Sequence, residues 1–135
     1  MFDTKIAIVI RDDLATWQKL NVTAFLTSGI VAQTPTLIGE PYRDAAGHVY
    51  NPMTVQPIVV LAADQETLRN ILKRALDRDV KTSAYIEEMF ATGHDAANRE
   101  MFAKFGPDEA KLVGLALRAD KKAVDKIIKG AKMHL

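Results

Sequence analysis

The sequence predicts a three-layer α/β sandwich around a four-stranded mixed sheet, formed by a single domain over residues 1–135. Two aliphatic runs, residues 6–10 and 58–63, read as strands covered on both faces. Segments with helical apolar spacing follow them, and the two kinds of segment alternate along the chain. The size agrees, because 135 residues is long enough for one core that buries about two-thirds of the unfolded surface.

Ile6, Ala7, Ile8, Val9 and Ile10 form a mostly β-branched run closed by Arg11, Asp12 and Asp13, the pattern of a central strand. Val22, Phe25, Leu26, Gly29 and Ile30 then recur at i, i+3, i+4, i+7, i+8, predicting a helix over about residues 17–31 that ends near Pro35. Residues 36–57 change character. Asp44 and Gly47 sit between arms carrying Tyr42 and Tyr50, which predicts an exposed inserted hairpin. Residues 58–63 make the second buried strand, and Asp64 is placed to cap a helix whose inward stripe is Leu68, Ile71, Leu72 and Ala75. A third strand is expected over residues 82–88. A third helix, 95–105, is capped by Asp95 and stopped by Gly106 and Pro107. Residues 112–117 give the fourth strand, and a last helix places Val124, Ile127, Ile128 and Ala131 on one face.

Composition narrows the chemistry. With no cysteine, disulfides, thiolate nucleophiles and cysteine zinc sites are absent. Residues 2–5 carry charge of both signs and only five apolar residues follow before Arg11, so no secretory leader is expected and the cytoplasm is the expected location. The longest apolar run, residues 58–63, is far below the roughly 20 residues that span a bilayer. There is no glycine-rich phosphate loop and no Gly-x-Ser-x-Gly elbow. His48, His94 and His134 are too scattered for a zinc site, so neither a metal nor a cofactor is expected.

Three groups of residues remain as candidates. The late helix carries Lys121, Lys122, Lys126, Lys129 and Lys132 within about 140° of arc, opposite its apolar stripe. Such a ridge attracts a polyanion such as tRNA, or is simply a solvated face. Arg11, Asp12, Asp13, Lys19, Asn21 and Thr23 cluster at the end of the first strand, where ligands collect in open α/β sheets. A carboxylate near a lysine suits acid/base and oxyanion work, although a turn cap and an ordinary surface lysine read equally well. Tyr42, His48 and Tyr50 of the hairpin offer a small-molecule pocket or plain hairpin packing. Trp17 either stacks on a ligand or plugs the junction of helix and sheet.

The stretch Lys5-Ile-Ala-Ile-Val-Ile-Arg-Asp-Asp-Leu14 resembles the opening strand of the type 2 peptidyl-tRNA hydrolases, which continue with Arg, one residue, Asp-Leu. Residues 112–117, 124–128 and 132–135 resemble that family's ending. Around residues 17–21 and 42–50 the chain resembles more closely still a bacterial family of unknown function with a peptidyl-tRNA-hydrolase-like fold. The resemblance implies that fold, a homodimer, and a site in which Lys19 matches the family's lysine, Glu87 or Glu88 stands for its aspartate, and Thr92 for its threonine. The chain departs from the pattern where the hydrolases place Gln and His along the first helix, and where they have Asp-Ala-Gly after the third strand. Two functions are therefore expected. One is hydrolysis of an aminoacyl or peptidyl ester, with Lys19 stabilising the oxyanion and Asp13 or Glu87 positioning water. The other is a non-catalytic module that binds a ligand or protein through residues 11–23 and the hairpin.

Overall fold

The residues of the first aliphatic run alternate between two separate cores, and that alternation fixes the layering. The computed structural model describes residues 2–133. Its first strand, β1 (Thr4–Arg11), is followed by α1 (Thr16–Gln33), the short strands β2 (Tyr42–Arg43) and β3 (Val49–Tyr50), and then β4 (Ile58–Ala63) and α2 (Gln65–Asp77). The chain continues through β5 (Thr82–Ile86), α3 (Asp95–Phe102), β6 (Leu112–Asp120), α4 (Lys121–Ile127) and β7 (Lys132–Met133). Ile6, Ile8 and Ile10 pack with Val22, Leu26 and Ile30 of α1, whereas Ala7 and Val9 pack with Leu68 and Ile71 of α2 and Val124 and Ile127 of α4. All these side chains are almost fully buried. Each large aliphatic one contributes about 1.5–3 kcal/mol of transfer free energy.

The main sheet has the order β5-β6-β1-β4-β7. β1 runs parallel to β4, with Ile8 opposite Val60, and antiparallel to β6, with Ile8 opposite Ala116. Within the connection from β1 to β4, β2 and β3 form their own two-stranded sheet. The excursion is closed at its base by an isolated bridge between Ile38 and Thr54, with Val55 N donating to Leu37 O at 2.8 Å. Buried Gln56 ties β4's approach to β1, donating to Thr4 O at 2.8 Å.

The observed sheet corrects the four-strand expectation: it has five strands, because the chain leaves the last helix early. α4 stops at Ile127, Gly130 turns the chain at φ +101°, and Lys132 and Met133 pair with Ala62 and Leu61 of β4. Only glycine adopts that φ at little cost. Arg74 of α2 reinforces the break by donating to the carbonyls of Ile127 and Lys129, at 3.0 and 2.8 Å. Ala131 is therefore not on the helix. Lys129 and Lys132 are not either, and the expected ridge of five is reduced to Lys121, Lys122 and Lys126 on α4. The third strand is likewise shorter than expected, ending at Ile86 beside a register irregularity and giving way to a 3-10 turn over Glu87–Ala91. α3 ends at Phe102, three residues early. His94 caps it rather than Asp95, its Nδ1 accepting from Ala97 N. Asp64 caps α2 as expected, accepting from Thr67 N at 2.8 Å. No helix among the described residues is long and apolar enough to cross a membrane.

Candidate functional site

Helix α1 carries two rows of residues spaced by four, one apolar and one mostly aromatic. Val22, Leu26 and Ile30 form the buried row, and Trp17, Asn21 and Phe25 share an adjoining face. Trp17 and Phe25 are 62% and 54% exposed, so the inward stripe expected of Phe25 is not what forms. Instead both line a cleft of about 280 Å³ whose opposite wall is Tyr85 of β5 with Met89 and Phe90 of the 3-10 turn. The rings form a continuous chain: Trp17 meets Phe90 edge-on at 5.9 Å, Phe90 meets Tyr85 at 5.3 Å, and Tyr85 meets Phe25 at 5.9 Å. Thr92, His94 and Asn98 form the polar end. The Thr92 hydroxyl is shared between Met89 O and Asn98 Oδ1. Burial pushes the Tyr85 phenol above its ordinary pKa, so it stays protonated through neutral pH.

A second, more polar cleft of about 440 Å³ lies beyond the carboxyl ends of the parallel pair β1 and β4. Asp12 and Lys19 line it, together with Asp64 and Thr67 at the start of α2 and Lys132 of β7. Asp64 is held below the usual carboxylate range by the hydrogen bonds from Thr67, with Lys132 adding attraction.

At the end of β1 sits Arg11, a cation only 9% exposed. Its Nε donates to Asp13 Oδ1 at 2.6 Å and its Nη1 to Glu87 Oε2 at 2.9 Å. Burial alone would lower its pKa, but the two carboxylates outweigh that and raise it. Among the described residues, no three His, Asp or Glu side chains gather closely enough to hold a metal ion.

The family model described as protein of unknown function (DUF2000) matches residues 4–135. The chain belongs to the DUF2000 family. It is also similar to a solved structure of a protein of unknown function from Agrobacterium tumefaciens strain C58, at 72% identity over 100% of both chains and a TM-score of 0.99. No curated protein matches it.

In this DUF2000 chain the residues nominated from sequence separate into five places. Asp13 and Glu87 come together through Arg11, although 76 positions separate Glu87 from Arg11. Lys19 lines the polar cleft. Asn21 and Thr92 line the aromatic one. Tyr42, His48 and Tyr50 stand exposed on the hairpin and line neither cleft. Thr23 uses its hydroxyl on the Lys19 carbonyl within α1, at 2.7 Å. Of the three histidines, His134 lies outside the described residues. Sequence reasoning missed Phe25, Tyr85, Phe90 and Asn98 as cleft residues. One signal was available: Trp17, Asn21 and Phe25 repeat every four residues beside the buried row.

Proposed function

We propose that this DUF2000 chain is a small-molecule-binding module on a peptidyl-tRNA-hydrolase-like fold, with its ligand seated in the aromatic cleft. The exposure of Trp17 carries the reading. An indole 62% open to water, at one end of a chain of four rings in a concave site, is apolar area that a ligand covers. The state of the nominated carboxylates supports it further. Asp13 and Glu87 each give one carboxylate oxygen to Arg11 as its counter-ions, a structural task that accounts for both residues without catalysis. The test uses the single tryptophan of the chain, whose indole N–H gives one resonance that a panel of small molecules is expected to shift saturably. If nothing in a chemically diverse panel moves it, the proposal fails.

Ester hydrolysis is the second reading, favoured by the position of Lys19. It lines the larger cleft beyond the carboxyl ends of a parallel strand pair, where ligands of open α/β sheets collect. There Lys19 would stabilise an oxyanion, and Lys132 would add positive charge. Release of the amino acid from N-blocked aminoacyl-tRNA by the wild type, lost in Lys19→Ala, would establish this reading; absence of release removes it.

A further inference from the structure

We infer that the ligand of the aromatic cleft is an uncharged planar heteroaromatic ring edged with hydrogen-bond acceptors, of the kind found in free nucleobases and pyridine carboxamides. The inference rests on the binding reading above and adds the chemical class. Charge comes first. Neither Lys nor Arg lines this cleft. Its one carboxylate, Asp95, is paired with Arg99 at 2.7 Å. A phosphate or carboxylate would therefore find no counter-charge there, whereas a neutral ring needs none.

Shape is the second argument. Four linked rings offer flat apolar surface, on which any planar base or heteroaromatic ring can stack. About 280 Å³ holds one ring system with a small substituent and leaves no room for a dinucleotide.

The third argument is the surplus of donors. Tyr85 is 5% exposed, and no hydrogen bond reaches its hydroxyl among the described residues. Asn98 commits its Oδ1 to Thr92, leaving its amide N–H groups unused. His94 accepts through Nδ1, so its neutral ring carries the proton on Nε2 as a donor. All three residues line the cleft, so carbonyl oxygens or ring nitrogens on a ligand can accept from these donors.

The experiment is titration of the full chain with uridine, adenosine and nicotinamide, alongside the 5′-monophosphates of the nucleosides and an aliphatic amide and acid, following the Trp17 indole N–H. At least one uncharged ring is expected to bind saturably, its 5′-phosphate derivative about tenfold more weakly, and the aliphatic compounds not at all. Tyr85→Phe, which keeps the ring, is expected to weaken binding about three- to tenfold with little change in melting temperature. Asn98→Asp, which replaces donors by a carboxylate, is expected to weaken it further. Binding strengthened by the phosphate, equal binding of the aliphatic compounds, or an unchanged Tyr85→Phe affinity overturns the inference. If only aliphatic or charged compounds move the signal, the class is wrong while the binding site stands. If no compound moves it, both are wrong.

Discussion

At Gly114, near the start of β6, a single methyl group has no space. A Cβ there would lie 2.7 Å from Val22 Cγ1, 2.9 Å from Leu26 Cδ1 and 3.2 Å from Ile10 Cδ1, so α1 sits on β6 as closely as it does because this position lacks a side chain. Gly114→Ala is expected to destabilise the fold by about 1–3 kcal/mol, read from the urea midpoint. An unchanged midpoint would mean that α1 shifts freely over the sheet. The same scale shows how unevenly single residues were legible. Arg11 and Asp13 stand out in the sequence as polar residues ending an apolar run, yet Glu87, which completes their network, lies 76 positions from Arg11 and is recognised by proximity alone. Trp17 is ambiguous in one dimension because an amphipathic stripe does not say whether a ring at its margin meets a neighbour or water.

Among the elements, the hairpin of β2 and β3 is held by one carboxylate. Asp44 accepts from the Tyr50 hydroxyl at 2.7 Å and from the amides of Ala46 and His48 at 2.9 and 3.0 Å, while Gly47 supplies the φ of +87° that the turn needs. The Tyr50 hydrogen bond, followed by those of the backbone amides, lowers the Asp44 pKa. A group whose folded pKa lies below its unfolded value contributes its stabilisation above the unfolded value, about pH 4, and loses it as pH falls through the folded one. The Ala46 and His48 amide signals are therefore expected to move, and their hydrogen-exchange protection to fall, only below about pH 4; loosening near neutrality would contradict this role for Asp44. The hairpin was readable because its turn residues act locally. The end of α4 was not. Val124, Ile127, Ile128 and Ala131 keep helical spacing through a stretch where Gly130, the Arg74 bonds to two carbonyls and an open edge on β4 turn the chain into a strand.

For the whole molecule, the expected ridge of five lysines does not form on one helix. With Lys129 leaving the helix and Lys132 lining the polar cleft, only three lysines remain on α4, and Asp125 among them is paired with Lys5 at 2.7 Å. Counterion release scales with phosphate contacts, so any binding to duplex DNA is expected to show a log–log salt slope near −2.7, against about −4.5 for a ridge of five. A measured slope beyond about −4 would require a basic surface assembled from other elements.

The sequence by itself determined the elements whose cause is local or periodic. These are the doubly buried β1, the half-buried β4, the Val22, Leu26 and Ile30 row of α1, the Leu68, Ile71 and Ala75 row of α2, the Asp64 cap and the Asp44 turn. Only the tertiary structure decided the fifth strand, the gathering of Asp13 and Glu87 on Arg11, and the cleft that Trp17 shares with Tyr85 and Phe90. Burial patterns and caps are set by neighbours within a turn or two of chain, whereas strand partners, ion pairs and ring contacts depend on which distant segments the packed core brings within a few ångströms.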